Sequence, residues 1–346
     1  MTSRLTVDLG AIAANYRTLC AAAGPSRCGA VVKADGYGLG ATEIATRLRD
    51  EGCRDFFVAN VHEANRLRPA IPGCALYVLA GATASSVAAL EAVGTIPVLN
   101  HAAQRDCWGA RGPAAVQVDS GMHRLGFAAD DVRPENFRDT DVVLLLTHLA
   151  CADEPDHPQN RLQLDAFAEV AARFPGVPTS IGNSAATLSG PDWCGDLARP
   201  GIALYGSNPF ANRSNPMLPV ATLEAEVLQL RRVAAGDAVG YGASWVARGP
   251  RLIATVGAGY SSGVPRLLSN LGDAWVHGRR VPYVGRVSMD LVTLDATDLD
   301  GRIAVGDWVE LVGANVTVDE VATLARTLGY EVLTGLGSRA PRRYVG

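Results

Sequence analysis

The sequence predicts an α/β chain: an N-terminal (β/α)8 barrel of the TIM type followed by a mainly β C-terminal domain. Two observations carry this. The first is a series of short apolar runs spaced for a strand-plus-helix unit, at 29–33, 55–61, 75–80, 95–100, 115–119, 142–148 and 179–183. An eighth falls between Asp196 and Tyr205 without sharp limits. Stretches of helical composition lie between the runs, at 41–51, 85–92 and 160–174. Eight such units in roughly two hundred residues suit a closed parallel barrel. An open doubly wound sheet fits the same runs, because closure is not written in a sequence.

The second observation is a change of texture after Pro219. Residues 221–233, 251–256, 281–287 and 308–312 read as strands, with Gly-rich turns between them and few helical signals. Residues 318–328 form the one clear helix, with Thr317 or Asp319 near its N-cap. The stretch from Asn212 to Pro216 reads as the linker. The expected domains are therefore residues 1–217 and 218–346.

Composition narrows the function classes. At 346 residues, 48% hydrophobic and 19% charged, the chain has ample core for a large domain and a smaller one. A net charge of -4 gives no electrostatic reason to expect nucleic acid or an anionic membrane as partner. Thr2 to Ala14 alternates charge with apolar residues instead of forming a signal-peptide core. No apolar run approaches the ~20 residues of a membrane span. A cytoplasmic enzyme is the expectation. The cysteines at 20, 28, 53, 74, 107, 151 and 194 are scattered singly and odd in number. None is spaced like a zinc or redox motif, so reduced thiols and no metal are expected.

The chemistry collects at the predicted strand ends, where barrel enzymes place it. Lys33 follows Ala30-Val31-Val32 and precedes Ala34-Asp35-Gly36-Tyr37-Gly38-Leu39-Gly40. A lysine emerging from a buried strand is desolvated, which favours the neutral, nucleophilic amine. The glycines allow the backbone to turn tightly beside a ligand. Arg124 follows the fifth run, His148 closes the sixth, Asn183 and Ser184 follow the seventh, and Arg199-Pro200-Gly201-Ile202 belongs to the eighth. Singly, each fits an ordinary role. Lys33 could snorkel to solvent, Arg124 could be a surface charge, His148 a satisfied core histidine and Ser184 a helix N-cap. Together they gather at one end of one barrel.

These stretches resemble the alanine racemase family. The lysine segment is similar to its pyridoxal-phosphate motif. Asp119-Ser120-Gly121-Met122-His123-Arg124-Leu125-Gly126-Phe127, Thr147-His148-Leu149-Ala150, Asn183-Ser184-Ala185-Ala186 and Arg199-Pro200-Gly201-Ile202-Ala203-Leu204-Tyr205-Gly206 look like its signatures in the right order. The likeness continues through Gly240-Tyr241-Gly242-Ala243-Ser244-Trp245, Gly259-Tyr260 and Gly285-Arg286-Val287-Ser288-Met289-Asp290, covering essentially the whole chain.

The resemblance implies a site. Lys33 would hold pyridoxal 5'-phosphate covalently. Tyr37, Ser184 and the backbone amides of Gly201 and Ile202 would bind the phosphate. Arg199 would face the pyridine nitrogen; always charged, it would weaken the ring as an electron sink and favour simple proton exchange. His148 would flank the ring, and Arg124 with the N–H of Met289 would receive the substrate carboxylate. Racemisation needs a base on each face of the planar α-carbon. Lys33 would serve the D-enantiomer and Tyr241 the L-enantiomer, with Arg124 and His148 lowering the pKa of that phenol. The family further implies a head-to-tail homodimer in which Tyr241 of one chain reaches the barrel of the other, making D-alanine for peptidoglycan. The rival readings are a racemase of broader specificity, such as for serine, and a non-catalytic pyridoxal-phosphate carrier; the latter would lack the second domain.

Some positions depart from the family pattern. Leu39 stands for the usual histidine, and Gln117 for a lysine that is often carbamylated and braces the arginine. Gln117 is expected to accept hydrogen bonds from Arg124 without modification. The histidine common just before Asn183 is absent, that stretch reading Ser180-Ile181-Gly182. Ser261-Ser262-Gly263 replaces Ala-Asp-Gly, and Ser338 stands where some members have a phosphate-contacting tyrosine.

Overall fold

A computed structural model describes residues 2–210, 212–337 and 340–346; Ser338 lies outside them. The barrel forms as expected. Strands Asp55–Val58, Ala75–Val78, Ile96–Leu99, Pro113–Asp119, Asp141–Leu146 and Thr179–Ser180 pair in parallel, each with the next. Ala30–Val31 adds to the first of them. Most of their residues are buried, as expected of parallel strands covered on both faces. The ring closes through the short strands Arg27–Cys28 and Leu197–Ala198, which pair in parallel. The Arg199 N–H donates to Gly182 O at 2.6 Å on the other side. Closure excludes the open-sheet alternative.

The outer helices obey the 3.6 period. Ala41–Asp50 buries Ile44, Ala45 and Leu48 on one face. Leu9–Ala23 starts at Asp8, whose carboxylate accepts the Ala11 N–H at 2.9 Å. The fifth strand is followed only by short 3-10 turns, Ala129–Asp131 and Pro134–Phe137.

The later half builds a second sheet around Ala221–Val233, which pairs antiparallel with Ser3–Asp8, Trp308–Val312 and Arg251–Val256. Arg342–Val345 joins in parallel beside Ser3–Asp8, so both ends of the chain enter this sheet. The helix expected at 318–328 ends early, at Leu324, and a separate helix, Gly329–Leu336, begins just beyond the expected range. Arg326, at φ +53°, lies between them. Thr317 is the N-cap, accepting the Glu320 N–H. Asp319 instead accepts from Ser207 Oγ (2.5 Å) and the Asn208 N–H (3.0 Å) and, within the expected linker, from Asn215 Nδ2 (2.9 Å).

Candidate active site

The carboxyl ends of the barrel strands surround a cavity of about 740 Å³. Lys33, Tyr37, Arg124, His148, Ser184, Arg199, Gly201 and Ile202 all line it. Tyr241 and Met289 do not. They lie on the second domain, 71% and 54% exposed.

Lys33 is the only lysine of the chain. Burial pulls its pKa down and Arg124 adds to that, while Glu63 opposes them. The backbone beyond it is unusual. Ala34, Asp35, Gly36 and Tyr37 have φ of 53°, 55°, 62° and 54°, a turn of left-handed helix. For residues with a side chain this conformation costs about 1–2 kcal/mol each.

A cluster of hydroxyls and backbone N–H groups shares the cavity. Ser184 does not cap its helix: Asn183 does, accepting the Ala186 N–H at 3.0 Å. That leaves the Ser184 hydroxyl to accept the N–H groups of Gly201 (2.8 Å) and Ala203 (3.2 Å). Ile202 opens the 3-10 turn Ile202–Tyr205, where a backbone N–H has no partner within the turn. A Cβ on Gly201 would lie 2.3 Å from the Tyr37 hydroxyl oxygen, so only glycine fits there. Tyr37 is buried and stacked on Tyr205 with centroids 4.4 Å apart. Two hydroxyls and backbone donors thus converge in a space fit for a phosphate.

Arg199 is buried, its guanidinium held by Ser180 Oγ at 2.6 Å and Thr147 O at 2.7 Å. Burial lowers its pKa only to about 10, so it stays charged at neutral pH. His148 is pushed down to about 3 by burial and by the charges of Arg199, Arg124 and Lys33. It is therefore neutral. Gln163 braces these strand ends: its carbonyl oxygen accepts the Ala150 N–H at 2.8 Å and its nitrogen donates to His148 O at 3.1 Å.

Arg124 is exposed at the rim on a loop that Asp119 holds by accepting the N–H groups of Gly121, Met122 and His123, each at 3.0 Å. Gln117 does not accept from Arg124. Its amide nitrogen donates to Leu125 O at 3.0 Å, because the loop brings a carbonyl rather than the guanidinium within reach. Leu39 is buried in the core. Tyr241 sits at the tip of a hairpin, between the paired strands Ala238–Val239 and Trp245–Val246. The Met289 carbonyl accepts the Ser261 N–H at 2.9 Å. Within one chain neither Arg124 nor His148 shares the Tyr241 environment.

Residues 7–209 match the family described as "Alanine racemase, N-terminal domain" and residues 220–344 "Alanine racemase, C-terminal domain". A "catabolic" alanine racemase of Mesorhizobium japonicum is 47% identical, over 99% of this chain and 93% of its own length. A "biosynthetic" one of Agrobacterium fabrum is 44% identical over the same shares, 99% and 93%. Among solved structures, the alanine racemase of Bartonella henselae with covalently bound pyridoxal phosphate superposes with a TM-score of 0.94 at 40% identity, both chains fully covered. The biosynthetic alanine racemase of Pseudomonas aeruginosa gives 0.93 at 39%, covering 100% of this chain and 99% of that one.

Proposed function

The chain belongs to the alanine racemase family, and on that premise we propose how its residues divide the work of interconverting L- and D-alanine. It is an isomerase that uses pyridoxal phosphate. When bound, the cofactor draws electrons from the α-carbon so that its proton becomes removable. The observation that carries the reading is the chain's single lysine, half-buried and with its amine biased toward the neutral form, sharing one cavity with the Tyr37 and Ser184 side chains and the turn at Gly201 and Ile202.

Lys33 would hold the cofactor and, when substrate displaces it, move the α-proton on the D-face. Tyr37, Ser184 and the N–H groups of Gly201 and Ile202 would hold the phosphate. Arg199, charged and fixed by two neutral oxygens, would meet the ring nitrogen, with neutral His148 beside it. Arg124 and the Met289 N–H would orient the substrate carboxylate. Tyr241 would be the L-face base.

Tyr241 and Met289 are exposed away from their own cavity, and this supports a homodimer in which they complete the partner's site. Tyr260, Leu267, Leu271 and Leu291 of the same domain are also exposed, so this domain carries several uncovered apolar side chains. We take residues 1–217 as the cofactor-binding barrel, except for the strand Ser3–Asp8, which joins the second sheet, and 218–346 as the domain that supplies the second base. Among the described residues no helix is long and apolar enough to cross a membrane. Cytoplasmic D-alanine supply to peptidoglycan completes the proposal; deletion should then produce D-alanine auxotrophy.

The test is a panel of L-amino acids assayed for the D-product with and without added pyridoxal phosphate. L-Alanine should be the best substrate and should require the cofactor. Faster conversion of serine would shift the assignment to a racemase of different specificity.

A further inference from the structure

The left-handed turn after Lys33 persists only if its surroundings impose it, since three of its four residues carry side chains. Its own hydrogen bonds, Gly36 N–H to Val32 O (2.9 Å) and Gly38 N–H to Ala34 O (2.8 Å), are those any helical turn would make. The imposed geometry comes from two carboxylates. Glu63, on helix Val61–Leu67, accepts the Ala34 N–H through one oxygen at 3.0 Å and the Ala59 N–H through the other at 2.8 Å. It thereby ties the residue after Lys33 to the end of the neighbouring strand. Asp35 accepts the Ala41 N–H at 3.1 Å and pairs with Arg342 Nη1 at 2.7 Å.

Arg342 opens the C-terminal strand, and its other nitrogen donates to Gly337 O at 3.3 Å. The same strand sends Tyr344 Oη to Leu39 O at 3.2 Å. The fit is close. A Cβ at Gly38 would lie 2.7 Å from Leu333 O, and one at Gly40 2.0 Å from the Tyr344 hydroxyl. The C-terminal strand therefore grips the lysine loop of its own barrel from one side while Glu63 grips it from the other.

We propose that Glu63 and Arg342 are positioning residues that hold this left-handed turn and, through it, fix the aim and the reactivity of the Lys33 amine. The proposal rests on the reading of Lys33 as the residue that holds pyridoxal phosphate. It gives the C-terminal domain a second role: as well as presenting Tyr241, it orients the lysine in its own chain. The charged and titratable groups around Lys33 are Arg124 and Glu63, with His148 and Arg199 across the cavity. Among them Glu63 alone favours the charged amine.

The single lysine makes the test clean, because borohydride trapping of pyridoxal phosphate on the full-length protein can label one ε-amine, and peptide mapping separates the α-amine. Glu63→Gln should shift the midpoint of Lys33 trapping to lower pH, since the removed carboxylate favoured the charged form. In Arg342→Met, amide hydrogens of residues 34–40 should exchange roughly five- to tenfold faster and pyridoxal phosphate should bind more weakly by a similar factor. Arg342→Lys should restore most of both. Should Arg342→Met fail to fold, Asp35→Asn breaks the same pair from the other side and is read the same way. Unchanged exchange at 34–40 in the Arg342 or Asp35 variant, with an unchanged trapping midpoint in Glu63→Gln, would overturn the proposal. Trapping confined to the α-amine of the wild type would overturn the assignment of Lys33 instead.

Discussion

Replacing Gly201 with alanine tests whether the space beside Tyr37 is shaped as an anion cradle. The new Cβ would stand 2.3 Å from the Tyr37 hydroxyl oxygen and 3.1 Å from Cζ. Carbon contacts settle at about 3.5 Å, so the phenol would have to withdraw by roughly 1 Å. It has little freedom to do so. Tyr37 is buried, stacked on Tyr205 at 4.4 Å, against Tyr330 at 5.9 Å, and held at φ +54°. Overpacking of this kind costs about 1–3 kcal/mol, and disturbing the aromatic stack about 0.5–1.5 kcal/mol more. A loss of about 2–4 kcal/mol of unfolding free energy is therefore expected for Gly201→Ala without cofactor. Tyr37→Phe removes the oxygen that clashes and leaves only the 3.1 Å contact, so the double variant should recover much of the loss. Denaturant unfolding of the wild type, both single variants and the double variant closes the cycle, with an expected coupling of about 1–2 kcal/mol. In parallel, Gly201→Ala should weaken pyridoxal phosphate far more than phosphate-free pyridoxal. Additivity of the two substitutions within about 0.5 kcal/mol would mean that no clash exists, and the cradle argument would fail.

Lys33→Ala should abolish both borohydride-fixed cofactor and racemisation; racemisation surviving in that variant would remove Lys33 from the mechanism. Tyr241→Phe should keep the fixed cofactor and a low rate of deuterium exchange at the α-carbon of D-alanine while losing racemisation, and a near-normal rate would refute the two-base assignment. Co-folding these two inactive variants places both lesions in one site of a mixed dimer and leaves the other site intact. Random pairing then restores roughly a quarter of wild-type activity, whereas verified heterodimers without activity would place both bases in one chain. His148, pushed down to about 3 in the fold against about 6.5 when unfolded, takes its proton first in the unfolded chain. Its contribution is thus intact above pH ~6.5 and lost as pH falls toward 3, with a slope of up to about 1.4 kcal/mol per pH unit. His148→Gln should flatten that part of the denaturation-midpoint profile, and an unchanged slope would contradict the assignment.

The barrel was legible because parallel strands buried on both faces appear in sequence as unbroken apolar runs, and eight of them in series leave few topologies open. Strands Ala221–Val233, Arg251–Val256 and Trp308–Val312 likewise have the limits that their composition suggests. What tertiary contact decides was not legible. Nothing local announces that Ser3–Asp8 will lie between residues 221–225 and 342–345, or that Arg326 will turn left-handed just after a helix that ends at Leu324. The site divides in the same way. Lys33, Arg124, His148, Ser184 and Arg199 could be found because a barrel collects its strand ends. Glu63 and Arg342 could not, because their target is a turn built on Ala34, Asp35 and Tyr37, none of which signals positive φ.

The spatial separation of the two proposed bases follows from what each requires. Lys33 needs burial and neighbouring cations to bias its amine toward the neutral form, which is why it sits at a strand end beside Arg124. In the proposed mechanism the second base, for the opposite face, is Tyr241, which belongs to the second domain and does not line the cavity of its own chain. It must descend from above the mouth on a rigid support. The hairpin of Val239 and Trp245 is such a support, yet in its own chain it points Tyr241 into solvent. On the proposed head-to-tail arrangement a second copy would resolve both problems, closing the open mouth against water and delivering the phenol from the missing direction. On this reading the dimer is part of the catalytic machinery. The C-terminal domain then acts on two barrels, presenting Tyr241 to the partner and steadying Lys33 in its own chain.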